Sequence, residues 1–245
     1  MTALSLFAPR RFFRLAASDA MNIARDPMLL FAIVMSLVPA AGFYFGREAM
    51  DAAALETFGL SGFSRYVAPI VLILPAMLVG WITGFLLLED RDDGPLLAVD
   101  VTPVGKGGFL GYRVTVTAIV AVAITLYAAP LVIPEQGWGM AALMAVLIAA
   151  EAAMVAIILP AIARNKVEGL ALTKLINLAA IVPLLAIVPS PLRLLAGIVP
   201  PFWIGELLDL SGEPVLPFAA TVALALATHA VAVAALFWLL GRRSG

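Results

Sequence analysis

Six uninterrupted apolar runs, each near twenty residues long, constrain this chain more than any other feature: 28–46, 67–88, 113–133, 140–163, 170–189 and 216–240. A helix needs roughly 20 apolar residues to cross the hydrocarbon core of a bilayer. The runs are continuous rather than alternating, and rich in Leu, Ala, Ile and Val, which points to helices and away from barrel strands. Composition agrees. Hydrophobic residues make up 63% of the chain and charged residues 13%, with a mean hydropathy of +1.08, well outside the range of soluble domains. The absence of cysteine excludes disulfides and thiolate chemistry, and a single histidine excludes most His-based metal clusters. No removable signal peptide is expected, because the first run starts only at Met28 and lacks a clear small-residue cleavage site. The chain therefore reads as one all-α integral membrane domain, residues 1–245, with six transmembrane helices.

Lysine and arginine orient those helices. With the N-terminus in the cytoplasm, one side holds Arg10, Arg11, Arg14, Arg25, Arg91, Lys106, Arg113, Arg164, Lys166, Lys174, Arg242 and Arg243. The other holds Arg47, Arg65 and Arg193. Twelve against three is a strong asymmetry, and it predicts a multi-pass protein of the bacterial inner membrane with both termini cytoplasmic.

Two flanking segments carry structure of their own. Residues 4–25 combine Phe7, Phe12, Phe13 and Leu15 with arginines, which suits an amphipathic helix in the cytoplasmic interface; a basic tail with no fixed docking is the alternative. Between the fifth and sixth runs, prolines at 189, 191, 200, 201, 214 and 217 cut the chain into two short apolar pieces. Neither is long enough to cross, so a re-entrant or interfacial helical hairpin on the external side is expected, with Trp203 at headgroup level. Trp138 and Trp238 also fit interfacial belts.

The stretch 86–109, "LLLEDRDDGPLLAVDVTPVGKGGF", breaks the apolar pattern with five acids between Glu89 and Asp100. Asp92 and Asp93 are N-cap types, Gly94 permits a turn, and Pro95 suits a first helical position. Leu96, Leu97, Val99 and Val101 then cover about two turns, until Pro103 restricts Thr102 and ends the helix. So short a helix is marginal in water unless its apolar face packs on something. A neighbouring loop or a partner protein could supply that surface, and a solvated, ordinarily capped loop is the plainer reading.

The order of acid, "DG", "L..V.VTP" and Gly/Lys just after the second span resembles the ABC-2 type permeases of ATP-binding-cassette exporters. "ARDP" at 24–27 and "NKVEGLALTKLINL" at 165–178 resemble small bacterial drug-export-like members of that group. The likeness covers the whole chain in topology and these three places in sequence. It implies that 93–103 is a coupling helix docking on a cytoplasmic ATPase, with Glu89, Asp93, Gly94, Leu96, Leu97, Val101, Thr102 and Pro103 as its coupling residues. It implies further that 4–25 is an interfacial connecting helix and that the external hairpin caps the pathway. The acids around Arg91 are denser than that pattern has. No G-x-x-x-x-G-K-[ST] occurs, so the resemblance places ATP and Mg on a separate nucleotide-binding subunit in trans, with no cofactor held by this chain. Six spans are half the usual complement, which implies a homodimer or a heterodimer with a sister permease. The reading is not enzymatic, and nucleic acid is not a partner.

Two polar residues stand near mid-membrane depth, Glu151 in the fourth span and His229 in the sixth. A carboxylate there is costly unless paired, protonated or wetted. The two either pair across the bundle or face the substrate pathway, the alternative being a protonated, purely structural Glu151. Asn177 is a third tentative pathway residue, while Lys174 reads as snorkelling to the headgroups. Rival functions find less support. Membrane phosphotransferases of the CDP-alcohol type need D-G-x-x-A-R, but Asp93-Gly94 is followed by Pro95, Leu96, Leu97 and Ala98. A stand-alone secondary transporter predicts an inverted repeat that 28–133 and 140–240 do not display. A non-transporting structural subunit stays open.

Overall fold

The computed structural model describes Met21 and residues 27–92 and 105–243. The described residues are helical throughout with short connections and no strand, as an all-α membrane chain requires. The interfacial helix expected over 4–25, Met21 apart, and the coupling helix expected over 93–103 lie outside the described residues.

Helix α1 (Pro27–Phe58) carries the first apolar run and continues through "REAMDAAALETF" to Phe58. Those twelve residues beyond position 46 lengthen it by roughly 18 Å. Their Ala, Glu, Met and Leu content is strongly helix-forming, so the helix outlasts the hydropathy signal. Gly59, at φ +69°, ends it: its N–H bonds Leu55 O and the Leu60 N–H bonds Ala54 O, a left-handed cap. The chain turns straight into α2 (Ser64–Asp92). Asp51 of α1 caps that helix, accepting from the Ser64 N–H at 2.6 Å and from its hydroxyl at 2.7 Å.

Helices α3 (Gly105–Val132) and α4 (Gly137–Ile162) are joined by a single 3₁₀ turn, Pro134–Gln136. Helix α5 (Lys166–Ile176) starts at an Asn165 cap whose carbonyl oxygen accepts from the Glu168 N–H, while Glu168 accepts from the Arg164 N–H. These reciprocal bonds satisfy donors that no helix turn reaches. The expected fifth span is only half α-helical, because the chain narrows to a 3₁₀ helix over Asn177–Ile187, with Pro183 inside it. Runs of 3₁₀ helix this long are uncommon, and Pro183 offers no N–H to an α ladder. A second 3₁₀ segment, Pro191–Ile198, and the short helix α6 (Phe202–Leu207) precede the last helix, α7 (Phe218–Arg243). Among the described residues, five helical stretches are long and apolar enough to cross a membrane: Ser64–Arg91, Gly105–Val132, Pro134–Ile162, Lys166–Ile187 and Phe218–Arg242.

Helix α4 is the hub. In its most apolar stretch 72% of residues are buried, against 11% in α7. It packs against α2 through glycines. A Cβ on Gly80 would lie 2.5 Å from Ala152 O and 2.9 Å from Val155 Cβ, and one on Gly84 would lie 2.8 Å from Leu159 Cδ1. Gly80 and Gly84 form a G-x-x-x-G pair seated on Ala152 and Ala156, both fully buried, the small-residue contact by which membrane helices approach closely. Thr83 and Thr117 hydroxyls, 2.6 Å apart, link α2 to α3. The outward faces of α1, the 3₁₀ helix Asn177–Ile187 and α7 expose Phe31, Phe45, Ile181 and Val231, an apolar surface suited to lipid.

The region between the fifth and sixth runs does form two short helical pieces, but Trp203 departs from expectation. It is 4% exposed, donates its Nε1–H to Gly197 O at 2.8 Å, and lies edge-on to Phe202. Trp203 packs into the protein core because Gly197 leaves room for its ring. Trp138 and Trp238 are well exposed, and Arg242 stacks 3.9 Å from the Trp238 ring centroid.

Candidate functional site

Helix α4 carries Glu151 and α7 carries His229, and the bundle brings them together. Glu151 Oε1 lies 2.9 Å from His229 Nε2, with both side chains almost wholly buried. His229 Nδ1 is 2.7 Å from Ala225 O, one turn back on the same helix. A carbonyl only accepts, so Nδ1 carries a hydrogen, and Nε2 is left to share one proton with Oε1. Neutral imidazole with a protonated carboxyl, and imidazolium with carboxylate, are both uncharged overall, which is what an apolar core tolerates. The Oε1–Nε2 approach is close but off-line, short of an aligned hydrogen bond. The arrangement can hold one proton and can tie α7, otherwise loosely packed, to the hub helix.

Asn177 is exposed where α5 narrows and does not join this pair. Glu89, at the end of α2, is about half exposed and pairs with Lys166 Nζ at 2.8 Å. Asp93, Gly94, Leu96, Leu97, Val101, Thr102 and Pro103 lie outside the described residues. The helix end leading to them is firmly held. Arg91 donates to Pro160 O at 3.2 Å, Ala163 O at 3.0 Å and Arg164 O at 2.9 Å. It thereby satisfies carbonyls that the end of α4 leaves open, and a cation there complements the helix dipole. Asp90 faces Arg113 of α3 at 3.7 Å.

Sequence reasoning missed a second buried pair. Arg193 counted only as an external-side charge, yet its side chain is 2% exposed and its Nε lies 2.5 Å from Glu206 Oε1. Its Nη1 donates to Val188 O at 3.0 Å and its Nη2 to Glu213 O at 2.7 Å. One guanidinium thus binds three points of the proline-rich stretch. The spacing of thirteen residues across several prolines gave no helical periodicity from which to read the contact. The G-x-x-x-G pair, by contrast, stood in plain view in the second run.

The family model for Rv2686c-like fluoroquinolones export permease proteins matches residues 19–240. The chain belongs to that family. Two curated relatives in Mycobacterium tuberculosis, the fluoroquinolones export permease proteins Rv2686c (strain H37Rv) and MT2760 (strain CDC 1551), are each 30% identical over 209 residues. Those alignments cover 81% of this chain and 82% of the relative. No solved structure matches. Membership agrees with the ABC-2 likeness of the acidic patch and with a multi-pass membrane protein, and the relatives are named as permeases rather than enzymes.

Proposed function

We propose that this chain is the membrane subunit of an ATP-driven exporter of small amphiphilic, drug-like molecules, with fluoroquinolones the first class to test. The observation that carries this reading is the family match over residues 19–240, together with relatives named for fluoroquinolone export. In this proposal six spans cross the bacterial inner membrane with both termini cytoplasmic, the long α1 supplying the sixth beside the five strongest candidates. Two such subunits, identical or sister chains, complete the pathway, and ATP and Mg bind a separate ATPase.

Segment 93–103 is the docking element for that ATPase, with Asp93, Gly94, Leu96, Leu97, Val101, Thr102 and Pro103 at the contact and Glu89 at its root. The Arg91 clamp supports a mechanical route. A displacement of the chain after α2 is conveyed to the C-terminal end of α4 through the carbonyls Arg91 holds, and α4 carries Glu151. Co-expression of the chain with a candidate ATPase should lower cellular accumulation of a fluorescent fluoroquinolone. Replacing the Walker lysine of the ATPase should restore it, and accumulation unchanged by the intact pair would refute the proposal. A proton-driven stand-alone transporter is the second reading, favoured by the buried Glu151–His229 pair. It predicts export that survives loss of the ATPase and stops when the proton gradient is collapsed.

A further inference from the structure

A cavity of about 250 Å³ opens at the end of the bundle where α2 starts, opposite the Arg91 end of that helix. Its polar wall is built from Arg47 of α1, Arg65 at the start of α2, and Glu135 of the 3₁₀ turn; its apolar wall includes Phe43, Val132 and Leu208. In sequence, Arg47 directly follows the first apolar run and Arg65 stands just before the second. Their places in the sequence put both guanidinia at headgroup depth; Phe43 lies one turn deeper in α1, and Val132 is the last residue of α3.

Both cations are positioned but far from saturated. Arg65 donates one bond to Leu210 O at 2.5 Å and stacks 4.9 Å from the Tyr66 ring centroid. Arg47 leans on Tyr44 at 5.9 Å and lies 3.7 Å from Glu135 Oε1, whose side chain is 75% exposed. A guanidinium has five N–H donors in a planar fork suited to a carboxylate or phosphate. Nearby Asp51 is turned aside, both its oxygens accepting from Ser64. Two guanidinia against one lining carboxylate leave positive charge in excess.

We propose that this cavity binds the oxyanion head of a membrane amphiphile, with Arg47 and Arg65 gripping the head and Phe43, Val132 and Leu208 against its apolar body. The head is a phosphodiester if the occupant is a phospholipid and a carboxylate if it is a small amphiphile. The site is separate from the Glu151–His229 pair and does not depend on the transport reading.

The test uses the full chain purified in a neutral detergent and titrated with three probes: dihexanoyl phosphatidylglycerol, decanoate, and uncharged dihexanoyl glycerol. Binding is read as a saturable rise in melting temperature. At least one anionic probe should bind and the uncharged one should not; phosphatidylglycerol alone identifies the lipid source, decanoate alone the small-amphiphile source. Arg47→Gln should weaken that binding about tenfold, the factor carried by one charge-assisted hydrogen bond. Gln136→Trp, at an exposed position on the rim, should block binding while leaving both arginines in place, and decides the matter if Arg47→Gln alters the ligand-free melting temperature. Failure of both anionic probes, equal binding of the uncharged probe, or affinity unchanged by Gln136→Trp overturns the proposal.

Discussion

Glu151 and His229 form a pair that only the assembled bundle creates, and their chemistry yields a graded prediction. With Nδ1–H committed to Ala225 O, the imidazole Nε2 can accept from an amide as well as from a protonated carboxyl. Glu151→Gln should therefore leave the melting temperature in detergent within a few degrees of the parent while removing the exchangeable proton. Transport lost in that variant, with folding kept, assigns a working role to the proton; transport retained assigns the pair to structure. His229→Leu orphans a buried carboxyl group and should cost about 1–3 kcal/mol. The Glu151→Leu/His229→Leu double variant should cost less than the two single changes added together, which a double-mutant cycle measures. Arg193 is the harsher case. Arg193→Met strands Glu206 without its partner and should cost about 3–5 kcal/mol, read as a large fall in melting temperature. Arg193→Lys should not rescue it, because one ammonium cannot divide itself among Glu206, Val188 and Glu213 as the planar fork does.

Helices were the legible part of this chain, and the reason is physical. Hydropathy reports which stretches lipid or protein must cover, so the runs starting at 67, 113, 140 and 216 located α2, α3, α4 and α7 to within a few residues at most ends. It says nothing about a helix that continues into water, so α1 outran its forecast by a dozen residues built of good helix formers. Nor does it separate α from 3₁₀ geometry, so the narrowing at Asn177 went unseen. The midplane residues Glu151 and His229 were legible because a polar group at that depth needs a partner. Arg193–Glu206 and Glu89–Lys166 were not, since each partner arrives from a different segment through turns that no periodicity encodes. Element packing gives its own prediction. Gly80→Ala must push a methyl against the Ala152 carbonyl and should destabilise by about 1–3 kcal/mol. Gly46→Ala, on a helix face with nothing within 4 Å, should be neutral or slightly stabilising, since alanine is the better helix former. Thermal unfolding of the two variants side by side separates close packing from a general intolerance of change.

Across the whole molecule, the two ends of the bundle are built differently. One end gathers the Asp90–Arg113 pair, the Arg91 clamp and the Glu89–Lys166 bridge where α2 ends. The other gathers the Arg47–Arg65 cavity and the stapled, proline-rich stretch. Helix α4 runs between them with Glu151 midway. Such a layout suits a machine driven at one end and opened at the other, and the family match supplies the cargo class to try first. The deciding measurement is fluoroquinolone uptake by inside-out membrane vesicles carrying this chain and the ATPase proposed as its partner. The account predicts ATP-dependent uptake that disappears in the Leu96→Asp/Leu97→Asp variant while that variant still inserts in the membrane. Uptake that proceeds without the ATPase, or at full rate with Leu96 and Leu97 charged, would contradict it.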